Sequence, residues 1–162
     1  MEQSPKIETL SPAKQELLAL EAESKYIFHG TTADTDELLP QQAVDNVRGP
    51  DGDPSVFGST ISQTAIFYAI INRKNFEHES VTSGESSHVN SETTEIHSEY
   101  RVSKEDFKHL KDGAFGYVYI FNKSDFTPSE EDSPEHRRFE PIKPIKRIVV
   151  TKEDLPKNII LF

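Results

Sequence analysis

Apolar positions along the chain change period several times, and each change predicts an element. Ala13, Leu17, Leu18 and Leu20 lie at helical spacing after Ser11, which can cap a helix, and Pro12, which suits its first turn; together they predict a helix over 11–24. Lys25 to Thr31 (KYIFHGT) is a short apolar run ending at a glycine, the pattern of a strand entering a turn. Ser55 to Ser59 (SVFGS) predicts a second short strand. Ser62 then caps a predicted helix reaching Arg73, with Ala65, Ile66, Ala69 and Ile70 along one side. A period of two returns over Thr94 to Val102, where Ile96, Tyr100 and Val102 share a face. Phe115 to Asn122 (FGYVYIFN) is the strongest strand pattern in the chain, dense in aromatic and β-branched residues. Ile145 to Thr151 (IKRIVVT) predicts a last strand, held to an edge by Pro141 and Pro144.

The polar segments between them are equally informative. Thr35 to Leu39 is expected to make one helical turn before Pro40, and Gln41 to Pro54 to be a loop dense in turn formers. Phe76 to Thr93 is rich in Ser, Glu, Thr, His and Asn and reads as a mobile insertion or a polar hairpin. Ser103 and Asp106 form a capping-box pattern that opens a helix to about Lys111, stopped by Gly113. Thr127 to Pro134 is expected to be an exposed acidic loop. Short strands with scattered helices, and no regular βα alternation, favour an α+β fold in one domain. Residues 1–24 would form a helical extension and residues 25–162 the core.

Composition narrows the chemistry. Lys and Arg total 18 against 28 Asp and Glu, a net charge of −10 that opposes broad binding to nucleic acid. The apolar fraction of 34% and a mean hydropathy of −0.62 imply much solvated loop. Without cysteine there is no disulfide, thiolate metal site or cysteine nucleophile. No run approaches the roughly 18 apolar residues of a membrane helix, and the polar N-terminus lacks a signal core. The expected compartment is the cytoplasm, with no membrane partner; a toxin exported by another route would read the same way.

The candidate chemistry lies in YIFHGT (26–31), in VFGSTISQTAIFYA (56–69) and in Glu140, ahead of the last predicted strand. This order resembles the ADP-ribosyltransferase superfamily, in its poly- and mono-ADP-ribose polymerase-like branch that uses a histidine, an aromatic residue and a glutamate. The resemblance implies a split mixed β-sheet with flanking helices and NAD as the substrate. It implies that His29 hydrogen-bonds the adenosine ribose and that the backbone of Gly30 holds the nicotinamide amide. Thr31 closes the first motif, Phe57 and Ser59 occupy the strand of the second, Thr64 supplies a hydroxyl to the amide, and Phe67 stacks on the nicotinamide ring. Glu140 takes the place of the catalytic glutamate, with His29 as the second catalytic residue. The family's other stacking tyrosine aligns with Val56, which has no ring.

These residue types suit the reaction. Breaking the nicotinamide–ribose bond passes through an oxocarbenium-like transition state, which a positioned carboxylate stabilises. Nicotinamide needs a flat slot with an aromatic face, and glycine permits close approach to the backbone. The expected acceptor of ADP-ribose is a macromolecule, protein or nucleic acid, with simple NAD hydrolysis as a variant. Thr31 in place of serine also resembles RNA 2′-phosphotransferases of the same fold, for which Arg48, Arg73, Arg137 and Arg138 are the candidate phosphate ligands. A catalytically inactive interaction module is the third reading, since Val56 stands in place of a stacking tyrosine and Glu140 lies among no other diagnostic residues.

His78, His88 and His97 recur without metal-ligand spacing, and no metal is expected. His136-Arg137-Arg138 reads as local charge balance beside the acidic loop. Ser59-Thr60 is like the Ser-Thr-Ser motif of arginine-specific transferases, but the Glu-x-Glu pair which that branch requires is missing.

Overall fold

The strongest strand pattern sits in the main sheet of the computed structural model, which describes residues 10–41, 44–45, 49–50, 54–77, 81–89, 92–93 and 95–162. In chain order the elements are α1 (Pro12–Ala22), β1 (Tyr26–Thr31), the two-residue strands β2 (Val44–Asp45) and β3 (Gly49–Pro50), β4 (Val56–Ser59) and α2 (Ser62–Ile70). They continue as β5 (Ser83–Val89), β6 (Ile96–Val102), α3 (Lys104–Phe107), β7 (Phe115–Asn122), β8 (Thr127–Pro128), β9 (Glu135–Arg138), β10 (Lys146–Thr151) and β11 (Ile159–Leu161). The fold class is α+β. The larger sheet has the order β10-β7-β1-β4-β9-β8 and is antiparallel throughout, so the mixed character expected of the core is confined to a smaller sheet. The parallel pairing, β11 with β6, lies in a separate sheet of order β11-β6-β5.

The apolar side of α2 is what joins the layers. Ala65, Ile66, Ala69 and Ile70 are buried, together with Phe28 of β1, Val118 and Ile120 of β7, and Ile148 and Val150 of β10. Tyr100 and Val102 of β6 close the same cluster from the second sheet, and Leu17 closes it from α1. Helix and sheet approach so closely that two strand positions have no room for a side chain. A Cβ on Gly30 would lie 1.7 Å from the Ala65 carbonyl oxygen, and one on Gly116 would lie 2.4 Å from that of Ala69. A smaller cluster of Ile27, Leu38, Val56, Tyr119, Phe121 and Phe126 covers the sheet's other face.

Several local expectations are corrected. The residue flanking α2 at its start is Ile61, without a side-chain cap; Ser62 lies inside the helix, and the Glu21 carboxylate at the end of α1 accepts from its amide (2.6 Å) and its hydroxyl (2.8 Å). The helix stops at Ile70, because the buried Asn75 amide donates to the Ala69 and Ile70 carbonyls and turns the chain into a short 3-10 segment, Arg73–Asn75. The helix opened by Ser103 ends at Phe107, where Leu110 leaves it to bridge Phe76. Residues 35–39 form no helical turn; Leu38 instead bridges Ile142. The polar stretch contains β5, paired with β6 from Ser83↔Val102 to Val89↔Ile96, which makes it a polar hairpin. The expected acidic loop begins as the short strand β8 and leads into β9, a polar strand that no hydrophobic period announces. As the flanking prolines required, β10 is an edge strand.

Candidate functional site

β1 is bound very differently on its two sides. It pairs with β7 from Tyr26↔Asn122 to Thr31↔Tyr117, whereas its ladder with β4 has a single register position, Phe28↔Ser59. Beyond Phe28 the two strands part, and the residues at the parting are His29, Gly30 and Thr31. The imidazole of His29 spans the gap, its Nδ1 lying 2.5 Å from the Phe57 carbonyl oxygen. That contact fixes the tautomer, since a carbonyl only accepts and Nδ1 must therefore carry the proton. Burial pushes the His29 pKa below its ordinary value and outweighs the bond to Phe57, so the ring is neutral at physiological pH.

Strand alternation divides the first motif between the two faces of the sheet. Gly30 faces α2, so His29 and Thr31 face the opposite side, where the Thr31 hydroxyl accepts from the Ala33 amide at 3.1 Å. Thr64 and Phe67 lie on the α2 side. The Thr64 hydroxyl is within 2.8 Å of the Tyr100 hydroxyl, and Phe67 is 1% exposed with its ring 5.2 Å from that of Tyr100. Neither presents a surface to a ligand, and the sheet separates both from His29. Ser59 is buried, its hydroxyl accepting from the Ile61 amide at 3.0 Å; Val56 is buried in the smaller cluster.

Phe57 connects the two sides. Its carbonyl holds His29, while its ring, on the α2 side, lies 4.9 Å beneath the Arg137 guanidinium. A polar patch lies on the same side of the sheet. Tyr68 of α2 is 47% exposed and donates to the Glu85 carboxylate of β5 at 3.5 Å, a long bond. Ser87 also donates to Glu85, and Ser87 shares a 2.8 Å hydroxyl contact with Ser98. Glu135 of β9 pairs in register with Ser59 and accepts from the Ser129 hydroxyl at 2.8 Å. Burial is the first cause that raises the Tyr68 pKa, and the charges of Glu85 and Glu135 add to it, so the phenol stays protonated and serves as a donor.

This patch was not legible beforehand. Glu85 lies in the Ser- and Glu-rich stretch, Glu135 and Arg137 in a strand without apolar period, and Tyr68 carried no signal beyond its place on a helix.

Glu140 is exposed and follows β9 at the end of the sheet where β1 also ends. The arginines are spread out: Arg73 lies past the end of α2, Arg137 is over Phe57, and Arg138, one residue on, donates to the Asp125 carbonyl at 3.1 Å. Arg48 and His78 lie outside the described residues, as does the side chain of His88. His136 is buried, which lowers its pKa, with Lys123 lowering it further. Among the described residues no group of acidic and histidine side chains could hold a metal, and no helix is long and apolar enough to cross a membrane. Comparison with family models, curated proteins and solved structures finds no match for the chain.

Proposed function

We propose that the chain is an NAD-dependent ADP-ribosyltransferase or NAD glycohydrolase, with the dinucleotide bound where β1 and β4 part. The observation that carries this reading is that the parting falls at His29 and is bridged by the Phe57 carbonyl. A gap in a sheet exposes backbone donors and acceptors that a polar ligand can use, and the residue spanning it is the one the sequence pattern singled out. The geometry changes the expected cast. Phe67 is sealed, so the aromatic groups left to meet a nicotinamide ring are on the α2 side of the parting: Phe57, whose carbonyl holds His29, and the exposed Tyr68. Glu85 and Glu135 add negative charge beside them, which favours a positively charged ring and the oxocarbenium character of its loss. In the reaction the bond from the ribose anomeric carbon to nicotinamide breaks and its electron pair neutralises the departing ring. An acceptor oxygen or nitrogen, or water, forms the new bond to that carbon and loses its proton.

A catalytically inactive interaction module is favoured by a separate observation: Thr64 and Phe67, two of the residues expected at the nicotinamide, are bonded to or packed on Tyr100 inside the core. NAD titration followed by measurement of nicotinamide release, on wild type, His29→Ala and Glu140→Ala, tests both readings. Release by wild type, with binding weakened about tenfold or more in His29→Ala, is the outcome expected of the enzyme. Retained release in Glu140→Ala removes that residue from the mechanism. NAD binding without release, or no binding, favours the module.

A further inference from the structure

The smaller sheet carries a second candidate site on its outer face. β5 pairs antiparallel with β6, and the register sets His88 against His97, Ser86 against Glu99 and Gly84 against Arg101. Strand alternation gives these six positions one face and Glu85, Ser87, Ser98 and Tyr100 the other. The second set turns inward, since Tyr100 is buried and Glu85 meets Tyr68. Gly84, Ser86, His97, Glu99 and Arg101 are exposed, so the first set looks outward. For His88, whose side chain lies outside the described residues, the register position alone assigns the face.

Two imidazoles opposed across a ladder have the spacing of a chelate. Residues directly opposite in an antiparallel pair have Cβ atoms about 4.5–5.5 Å apart, and a diagonal neighbour about 7–8 Å away is still within reach of a long side chain. His97 is the opposite partner of His88, and Glu99 is its diagonal neighbour. Along the chain the two histidines lack metal-ligand spacing; the hairpin supplies the proximity. The charge nearby suits a cation. Glu95, exposed, lies two positions before His97, and the whole chain carries a net charge of −10. Arg101 stands at the far end of the face and is drawn towards β11, its guanidinium 5.1 Å from the centre of the Phe162 ring.

We propose that His88, His97 and Glu99 bind a divalent transition-metal ion of the zinc class, with water completing its coordination. Two imidazoles and one carboxylate are a ligand set that zinc accepts with a position left open. Magnesium and calcium take oxygen ligands and are disfavoured by the imidazoles. The ion ties β5, an edge strand of its sheet, to β6. Because β5 carries Glu85 on its inner side, the same tie steadies the carboxylate that accepts from Tyr68.

The test is calorimetric titration of the full chain with zinc chloride, alone and in excess magnesium chloride. One zinc ion per chain is expected, with its affinity unchanged by magnesium. His97→Ala and Glu99→Gln alter exposed side chains and are expected to fold as wild type does, checked by their melting curves. His88→Ala and His97→Ala weaken zinc about tenfold or more, and Glu99→Gln weakens it less. His109, paired with the carboxylates of Glu77 at 3.7 Å and Glu105 at 3.9 Å, is the rival ligand, and His109→Ala is expected to leave zinc binding unchanged. Absence of saturable zinc binding, wild-type affinity in His88→Ala or His97→Ala, or loss of binding in His109→Ala would each overturn the assignment.

Discussion

The two faces of the main sheet are held by different physics, and β1 belongs to both. On the α2 face the contacts are apolar and close: Phe28, Val118, Ile120, Ile148 and Val150 meet a helix near enough to require glycine at positions 30 and 116. On the opposite face a smaller apolar cluster shares the surface with polar groups fastened one by one. Tyr119 donates to the Ala33 carbonyl at 2.6 Å and accepts from the Thr35 amide at 3.0 Å, and His29 holds Phe57. On or beside β4 and β9, the buried Ser55 hydroxyl, His136 Nδ1 and Arg138 Nε have no hydrogen-bond partner among the described residues. A face closed by packing loses stability when it is altered, whereas a face closed by separate hydrogen bonds can lose one and keep its shape. Chemistry is therefore better sought around His29 and Phe57 than around Phe67.

The comparison breaks most visibly at Phe67. Phe67→Ala is expected to cost about 3–5 kcal/mol in urea denaturation, through lost burial and the cavity left behind. A cost below about 1 kcal/mol would mean that the ring is not a core group and that the α2 face is looser than described. Gly30→Ala comes next, at about 3 kcal/mol, because the new methyl would overlap the Ala65 carbonyl. Gly84→Ala is its control: an added Cβ there meets nothing within 4 Å, and a change within about 0.5 kcal/mol is expected. Equal effects at the two glycines would remove the close approach from the account.

The smallest effect sharpens the other face. In the folded chain burial lowers the His29 pKa below the 6.5 of the unfolded chain. As pH falls below 6.5 the unfolded state takes up a proton that the folded state resists, so stability declines towards the folded pKa and is insensitive to this group above 6.5. His136 acts in the same direction. Unfolding midpoints compared at pH 7.5 and pH 5.5 should show a smaller loss in His29→Ala than in wild type. An equal loss would mean that His29 is not held neutral in the folded chain.

Legibility followed periodicity. α1, β1, β4, β6, β7 and β10 stand where alternating or helical apolar patterns predicted them, because burial on one side enforces those periods. β9 was silent and β5 was foreshadowed only as one arm of a polar hairpin: Glu135–Arg138 and Ser83–Val89 are polar strands kept in place by their neighbours. The residues of the first motif were found as a string, but as a site only in part. Nothing in HGT reveals that its glycine serves the helix and its histidine the other face, a division that depends on which strand side α2 covers.

By itself the amino-acid sequence determined an α+β chain of acidic surface, free of cysteine chemistry, with its main helix and its best strands correctly located. Periodicity and composition are local properties, and burial reads them directly. Only the tertiary structure decided that β1 and β4 part at His29, that Phe67 and Thr64 turn inward onto Tyr100, and that Tyr68 donates to Glu85. Those depend on strand order, register and helix placement. They arise from contacts between segments far apart in the chain, which no window along the sequence contains.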